Sequence, residues 1–429
     1  MNKLVSRRNF VKGTVAAAAA SSLYNMASAN SHAGGTVKVA LIGCGGRSNR
    51  DMPNFIKACE ILGKKAKVVG LADAFQDRLD TAAEKYGVDK KNCFVGFKAY
   101  QQVLETDAEF VIMATPPNFR ATHLEAVINS GKHAMIEKPV AVDAPGCRKV
   151  IEIGEKAKKK GLAIVAGTQR RHDIAWLTNK AKIDAGAIGT ILGGTVAWNG
   201  TVPWIWGREQ SWDNREYLTR NWLNWSEMSG DHITEQHVHN LDVANWFLGR
   251  HPVSCVGFGG RARRQSGNQY DFFSLDLDYG DGVHIHSQCR QLSGCFNRVG
   301  EFFRGTEGES FGNGKMKGKD VKIPEIAVDS DDGSVQEMVN LIRGVYNDQP
   351  LNEAKNIAES TATAIMGRYS AYTGKLVQWS DLMLNPKSEF YNLTVGSSPE
   401  DFEKGNVSIP MENVVPVPGD AIAVRRKYS

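Results

Sequence analysis

VKVALIGCGGRS, at residues 37–48, combines an apolar run rich in β-branched side chains with a glycine-rich turn. Such a run is typical of a buried parallel strand, and it leads directly into the G-x-G pattern of Gly43 and Gly45. Gly46 and Arg47 follow, and the third position of the pattern is Ser48 rather than glycine. Glycines here allow a tight turn and let the backbone approach a pyrophosphate, while the next helix N-terminus favours negative charge. The stretch therefore predicts the first βα turn of a dinucleotide-binding fold.

Further strand patterns follow this turn, with helical patterns between them. The apolar runs of strand length are residues 67–72, 110–114, 133–136 and 162–167. The first of them ends at Asp73, whose carboxylate can bind ribose hydroxyls and would repel a 2′-phosphate, so NAD is favoured over NADP. Arg47 and Arg78 support NADP instead, because either could reach such a phosphate. The alternation predicts an α/β fold with a doubly wound parallel sheet over residues 36–167.

Residues 1–30 are predicted to be an export signal rather than part of the fold. Adjacent Arg7 and Arg8 precede an alanine-rich apolar stretch at 15–20, and small residues at 27–29 form a cleavage site. The apolar stretch is too short to span a bilayer. We therefore expect export by the twin-arginine machinery to the periplasm, with no membrane span. Because a periplasm supplies no free dinucleotide, the cofactor would have to stay bound through many turnovers.

Length and composition limit the remaining classes of protein. A chain of 429 residues suits two domains, and a net charge of +5 without a basic, aromatic-interleaved stripe makes a nucleic-acid partner unexpected. The seven cysteines contain no C-x-x-C pair, so buried free thiols are expected.

A second region is predicted over residues 168–385. Its strand patterns lie at residues 191–198, 254–259, 272–278 and 283–288. Several of them alternate apolar and polar side chains, as expected for a sheet with one packed and one open face. An alanine-rich helix over residues 352–374 is predicted to pack back on the first domain, and residues 386–429 are predicted to be an irregular tail.

Together these motifs resemble the glucose-fructose oxidoreductase/inositol dehydrogenase (Gfo/Idh/MocA) family, from about Val37 to the helix near Gly374. The motifs are the GCGGR turn, Ala114-Thr115-Pro116 with His123 downstream, GKH at 131–133, and Glu137-Lys138-Pro139. The resemblance implies a C-terminal α+β domain with a large open, mostly antiparallel sheet, and a homo-oligomer formed through that sheet. It also implies that Thr115, Pro116, His123, Glu137 and Lys138 contact the cofactor.

Residues 230–242, GDHITEQHVHNLD, carry the densest cluster of acids and histidines. Where the family has D-x-G-x-H-x-x-D, this chain has Glu235, His237 in place of the glycine, His239 and Asp242. Oxidising a secondary alcohol needs a base for the hydroxyl proton and a cation for the developing alkoxide. We predict His239 as the general acid/base, Lys138 as the oxygen-binding cation and proton relay, Glu235 as a substrate-hydroxyl ligand or orienter, and His237 as a second candidate base.

Two other interpretations of neighbouring residues are weighed. Glu235, His237 and His239 could bind zinc in an extended segment, but no second ligand cluster accompanies them and no metal is predicted. Six tryptophans crowd residues 198–225, and aromatic rings pack against sugar C–H faces. Alternatively this segment is a packing or subunit-contact loop. The predicted substrate contacts are Trp204, Trp206, Arg171, His172 and Asp242.

Three functions are compatible with these patterns. The first is an oxidoreductase transferring hydride between tightly bound NAD(P) and a secondary hydroxyl of a sugar, cyclitol or glycoside. The second is a glycoside hydrolase that oxidises the sugar transiently, eliminates the aglycone and reduces the sugar again. The third is a non-catalytic periplasmic sugar-binding protein on the same fold, which the set of Lys138, Glu235 and His239 argues against.

Overall fold

The computed structural model describes residues 35–394 and 396–419. The predicted export signal at residues 1–30 lies outside the described residues. Among those described, no helix has the length and apolar character needed to cross a membrane. The two hydrogen-bonded sheets contain six and eight strands.

The first sheet is entirely parallel and has the strand order β3-β2-β1-β4-β5-β6. Its strands are β1 (Thr36–Ile42), β2 (Lys65–Asp73), β3 (Cys93–Val95), β4 (Phe110–Met113), β5 (His133–Ile136) and β6 (Ile164–Ala166). Its helices are α1 (Ser48–Ile61), α2 (Gln76–Tyr86), α3 (Ala99–Val103), α4 (Pro117–Asn129) and α5 (Ala144–Lys159). The strand order reverses between β1 and β4, which is where doubly wound sheets open a ligand crevice. The predicted parallel sheet is confirmed.

The second sheet is mostly antiparallel, with β7 and β10 as its parallel pair. Its order is β13-β12-β11-β7-β10-β9-β8-β14. The bounds are β7 (Ile191–Gly200), β8 (Ser254–Gly260), β9 (Phe272–Asp278), β10 (His284–Gln291), β11 (Arg298–Gly305), β12 (Glu309–Ser310), β13 (Met316–Lys317) and β14 (Val377–Gln378). Alternating burial along β9 and β10 gives the sheet one packed face and one open face. The predicted C-terminal α+β region with a large open, mostly antiparallel sheet is therefore also confirmed.

Helices cover the packed face and join the two sheets. They are α6 (Ile174–Asp184), α7 (Asn214–Arg220), α8 (Ser226–Ser229), α9 (His232–Glu235), α10 (Val238–Leu248), α11 (Gly333–Tyr346), α12 (Ala354–Thr373), α13 (Trp379–Met383) and α14 (Pro399–Lys404), with single 3₁₀ turns at Lys90–Asn92, Gln169–Arg171 and Trp222–Asn224. The alanine-rich α12 packs between α5 and β8, so it contacts both sheets' layers. Small side chains along this helix allow that close approach on two sides.

Two features lie outside the sequence-based expectations. Helix α11 packs on α1 and completes the core beneath β1, although it follows the second sheet in the chain. Helix α14 lies in the predicted irregular tail, where Phe402 packs against Phe97 and Phe119 near the first sheet. The domain boundaries drawn from the sequence stay a prediction, because the chain returns to the first sheet twice.

Candidate functional site

One cavity of about 580 Å³ lies at the carboxyl edge of the first sheet, within the usual size of a ligand pocket. Its floor comes from the ends of β1, β2, β4 and β5, and its other wall comes from residues 204–236. All of the predicted cofactor-binding residues except Ser48 line it: Gly43, Gly45, Gly46, Arg47, Asp73, Thr115, Pro116, His123, Glu137 and Lys138. These residues converge because the strand ends of a parallel sheet share one edge.

The glycine turn shows two different needs for glycine. Gly43 has φ +93°, and a Cβ there would lie 2.9 Å from the backbone carbon of Ala114 and the nitrogen of Thr115. A Cβ on Gly46 would meet no atom within 4 Å. Ser48 is buried and its hydroxyl donates to the Gly45 carbonyl at 2.7 Å, so it ties the turn together rather than lining the cavity. The turn leaves open backbone at the N-terminus of α1, which fits a pyrophosphate.

Asp73 is held by the backbone around it. One carboxylate oxygen accepts from the Cys44 N–H at 2.6 Å and the other from the Phe75 N–H at 2.9 Å. Burial raises the pKa of Asp73, while the charge of Arg78 and the two backbone bonds oppose that rise. The side chain therefore fastens the glycine turn to the end of β2 and still borders the cavity.

Arg47 is paired with two carboxylates. Its Nε lies 2.9 Å from Glu137 Oε1 and 3.0 Å from Asp51 Oδ1. Glu137 in turn lies so close to β6 that a Cβ on Gly167 would be 2.5 Å from its Oε1. Arg47 is thus committed to these acids, which weakens its case as a 2′-phosphate ligand. Among the described residues Arg78 has no ion-pair partner, and it lies beside Gly45.

Lys138 and Glu235 meet in the cavity between the two sheets. The ammonium donates to the Glu235 carbonyl at 2.6 Å and lies 3.8 Å from its Oε1. Burial lowers the pKa of Lys138 and raises that of Glu235, while each partner's charge acts in the opposite sense. Gln236 donates to Oε1 of Glu235 at 2.8 Å, whereas Oε2 is buried without a hydrogen-bond partner. The pair therefore offers a cation and an unused acceptor to a ligand.

His239 lies in the first turn of α10, behind the cavity lining, with its ring stacked on Trp198 at 5.7 Å. Burial, followed by the charges of Lys138 and Arg170, holds the pKa of His239 well below its ordinary value. Burial therefore favours the neutral imidazole, which is the form that accepts a proton.

Four other predicted residues do not reach the cavity. His237 is fully buried, with Nε2 2.8 Å from the Ser287 hydroxyl on β10. Arg171 and Asp242 form a two-bond ion pair at 2.8 and 2.9 Å. His172 lies between Glu353 at 3.1 Å and Asn340 at 2.9 Å. These contacts join parts of the fold to one another rather than facing the cavity, so the placement of these residues does not support their assignment to substrate or base.

The tryptophan roof, defined as residues 204–222, closes the side of the cavity opposite the glycine turn. Trp204 and Trp222 pack edge to face at 5.8 Å, and Trp206 also borders the cavity. Arg220 reaches across to α2, where it bonds both carboxylate oxygens of Asp77 at 2.7 and 3.0 Å. The tryptophan crowding in the sequence pointed to this wall.

The cavity also contains residues that the sequence analysis missed. Arg120 is fully buried and donates to the Thr115 and Pro139 carbonyls at 2.8 and 2.7 Å. Burial lowers its pKa to about 10. No local pattern distinguishes this arginine from a surface one, whereas Arg220 and Trp222 lie within the aromatic segment already singled out. In the described part of the chain, no group of three or more His, Cys, Asp or Glu side chains is placed to hold a metal ion.

Comparison with known proteins agrees with this geometry. Residues 37–166 match an oxidoreductase family with an NAD-binding Rossmann fold, and residues 176–309 match the GFO/IDH/MocA C-terminal domain. Inositol 2-dehydrogenase of Burkholderia lata is 29% identical over 252 residues, which are 58% of this chain and 66% of that protein. The Rhizobium meliloti enzyme of the same name is 27% identical over 44% of this chain and 50% of its own length. The chain thus spans about half to two thirds of these relatives.

Solved structures share the fold. The WlbA dehydrogenase of Bordetella pertussis, in complex with NADH and UDP-GlcNAcA, is 20% identical with a TM-score of 0.61 over 80% of this chain and 99% of that one. Levoglucosan dehydrogenase, in complex with NADH and levoglucosan, is 15% identical with a TM-score of 0.63 over 80% and 99%. The two consecutive domain matches cover more than half of the chain. The chain belongs to the Gfo/Idh/MocA oxidoreductase family, and its first sheet is the NAD-binding Rossmann domain of that family.

Proposed function

We propose that this protein is an NAD-dependent oxidoreductase acting on a secondary hydroxyl of an uncharged sugar, cyclitol or glycoside. The observation that carries the proposal is the Lys138–Glu235 pair, which faces the same cavity as the glycine turn. NAD held by the glycine turn and Asp73 would supply the hydride acceptor for the oxidation and the hydride donor for the reverse reaction. The inositol and levoglucosan dehydrogenases that resemble the chain are named for uncharged polyols.

Each side chain has a distinct task in alcohol oxidation. The Glu235 carboxylate, which lines the cavity, accepts a hydrogen bond from a substrate hydroxyl and so orients the reacting carbon. The Lys138 ammonium binds the oxygen that becomes the carbonyl and stabilises its developing negative charge. The neutral imidazole of His239, which lies behind the cavity lining, receives the hydroxyl proton through Lys138. In the reverse direction the same groups return the proton.

The charges around the cavity favour an uncharged substrate. The described cationic lining residues are Arg47, Arg78, Arg120, Lys138 and Arg220. Carboxylates pair with three of them, and Arg120 is bonded to two carbonyls. Arg78 lies at the Asp73 end, away from Lys138. A carboxylate or phosphate on the substrate would therefore have to compete with Glu235 for Lys138, whereas the edge-to-face pair of Trp204 and Trp222 offers apolar faces to a sugar ring.

The roof supports a cofactor that stays bound between turnovers. Arg220 ties the roof to Asp77, and its guanidinium also lies 4.2 Å from the Phe75 ring. Helix α14 braces the same side, since Glu403 accepts from the Tyr100 hydroxyl at 3.1 Å. Release of a dinucleotide past these contacts requires the two layers to separate. This agrees with the proposed export through the twin-arginine machinery, which rests on Arg7 and Arg8 in the sequence.

The export proposal has its own test. A twin-lysine variant, Arg7→Lys with Arg8→Lys, should keep the protein in the cytoplasm when cell fractions are probed for it. Periplasmic recovery of that variant at the wild-type level would contradict the proposal.

We also propose a homo-oligomer that pairs the open face of the second sheet. Val256 and Phe258 on β8 are 51% and 65% exposed on that face. Large apolar side chains exposed next to each other are typical of a protein–protein contact. Phe258→Glu should shift the protein to a smaller species in analytical ultracentrifugation. An unchanged sedimentation coefficient would contradict this interface.

The first experiment is to purify the protein, denature it and measure NAD(H) and NADP(H) in the supernatant. Intact protein is then mixed with myo-inositol, glucose, glucuronate and p-nitrophenyl glycosides, and nicotinamide absorbance and nitrophenol are followed together. Bound NAD that is reduced by an uncharged polyol supports the proposal. Nitrophenol release without net reduction identifies the hydrolase instead, and failure to bind any dinucleotide refutes the central claim.

A further inference from the structure

A buried carboxylate on β11 organises one wall behind the reacting groups. Glu301 pairs with Arg170 and accepts hydrogen bonds from Asn240 Nδ2 at 2.7 Å and Trp176 Nε1 at 3.4 Å. Only 4% of Glu301 is exposed. A Cβ on Gly312 would lie 2.5 Å from its Oε2, so the neighbouring loop packs directly on the carboxylate. Glu301 therefore has little freedom to move, and neither does the guanidinium that it holds.

Arg170, which Glu301 holds in place, contacts the ring of Trp198. Its guanidinium lies 5.8 Å from the centroid of Trp198 and 5.3 Å from that of Trp176. Trp198 is on β7, where it pairs in register with the buried Cys289 of β10 and with Val299 of β11, which is 51% exposed. A cation near an indole ring is attracted to its face. The orientation of Trp198 is thus set by β7 on one side and by Arg170 on another.

Trp198 in turn stacks on His239. The two ring centroids are 5.7 Å apart with an interplanar angle of 24°. Within the described chain, no hydrogen bond to a protein group holds the His239 ring, whereas catalytic imidazoles commonly have a third group that orients them. The stack is therefore the contact that sets the direction of this imidazole.

We propose that Glu301 and Trp198 are positioning residues: Trp198 holds the His239 ring directly in the orientation that accepts the substrate proton, and Glu301 acts on Trp198 through Arg170. This inference rests on the proposed role of His239. A misplacement of about 1 Å in such a group can cost roughly 10²-fold in rate. The segments that meet here come from residues 170, 198, 239 and 301, so no local motif contains the arrangement.

The test measures the rate at which saturating substrate reduces the bound nicotinamide in a single turnover. Trp198→Ala should slow reduction by roughly 10- to 100-fold, while half-saturation changes only a few-fold. Trp198→Phe keeps an aromatic face and should restore most of the rate. Glu301→Gln should slow reduction by about tenfold, because the neutral amide no longer holds the Arg170 guanidinium. Dinucleotide content and melting temperature, measured on every variant, exclude a general loss of structure.

A pH profile separates positioning from mere packing. The charged side chains that act on His239 are Lys138, Arg170, Arg47 and Arg50, and all of them remain in Trp198→Ala. Removal of the indole admits water, which relieves the burial that lowers the pKa of His239. The acid limb of the reduction rate should therefore move to higher pH in Trp198→Ala and stay in place in Trp198→Phe.

His239→Asn distinguishes the two levels of the argument. If His239→Asn reduces at the wild-type rate, the proposed base is wrong and the positioning inference falls with it. Suppose instead that His239→Asn is inactive, whereas Trp198→Ala and Glu301→Gln are folded, contain dinucleotide and keep the wild-type rate and acid limb. In that case the positioning inference alone is overturned.

Discussion

Gly43 and Gly46 form a matched pair of alanine substitutions that separates the fold requirement from the cofactor requirement. At Gly43 an alanine must adopt φ +93° and place its Cβ 2.9 Å from two backbone atoms at the end of β4. At Gly46 the same methyl group meets no protein atom within 4 Å. The chemical change is identical, and the two positions are three residues apart.

The expected magnitudes follow from these environments. A non-glycine residue in such a sparsely populated backbone region costs about 1–3 kcal/mol. The contact with Ala114 and Thr115 adds to this cost, because backbone atoms at the end of a buried strand cannot rotate away as a side chain can. Gly46→Ala should change stability by no more than about 0.5 kcal/mol. Its methyl group, however, projects where a pyrophosphate would approach the turn, so dinucleotide content should fall below about half.

Urea unfolding followed by fluorescence gives the stability of each variant, and dinucleotide assayed after gel filtration gives the content. Gly43→Ala should lower the urea midpoint, whereas Gly46→Ala should keep the midpoint of the dinucleotide-free wild type. A Gly43→Ala protein with the wild-type midpoint would refute the steric argument. A Gly46→Ala protein with full dinucleotide would refute the placement of the pyrophosphate.

Three further predictions follow from the site. Lys138→Met should slow substrate oxidation by about 10²- to 10³-fold with dinucleotide content unchanged, and a smaller than tenfold loss would contradict its role at the developing alkoxide. Arg220→Leu should speed the exchange of bound NAD for labelled NAD roughly fivefold, since a partly exposed ion pair and a cation–π contact together contribute about 1 kcal/mol. The control Arg250→Leu, which removes a remote surface ion pair, should leave the exchange rate unchanged. Burial lowers the pKa of His237 to about 3, so the folded state stays neutral while the unfolded chain gains a proton below about pH 6.5. Wild type should therefore lose stability relative to His237→Gln by about 1.4 kcal/mol per pH unit as the pH falls from about 6.5 towards 3, and a pH-independent difference in urea midpoints would contradict the neutral buried state.

Much of the cofactor side was accessible from the sequence. Gly43 directly follows β1, Asp73 is the last residue of β2, and Thr115 and Lys138 lie two residues beyond β4 and β5. The ends of parallel strands place such residues at the ligand edge of the sheet. The predicted α/β class and the second, mostly antiparallel sheet are confirmed. Both were accessible because the pattern of apolar residues along a strand indicates which of its faces are buried. The position of helix α11 was not predicted, since the pattern of an amphipathic helix does not indicate which sheet the helix will cover.

The charged residues near the second domain were predicted less well. Arg171 and Asp242 have the composition of a substrate site, but they lie 71 positions apart in sequence and pair with each other in the fold. His237 looked equivalent to His239, yet one ring bonds to β10 and the other stacks on Trp198. A side chain's type specifies what it can bind, and only the folded arrangement decides which partner it meets.

The sequence by itself therefore determined which residues lie at the ligand edge of the first sheet. The glycine turn after β1, the acid at the end of β2 and the lysine beyond β5 follow from local backbone geometry and strand polarity. Only the tertiary structure decided the roof, where Arg220 meets Asp77, and the wall, where Glu301 reaches His239 through two intervening side chains. The physical reason is distance along the chain. Local propensity acts over a few residues, whereas these side chains meet only after the two sheets have packed together. The buried Arg170–Glu301 pair is also selected by the desolvation that its charges share.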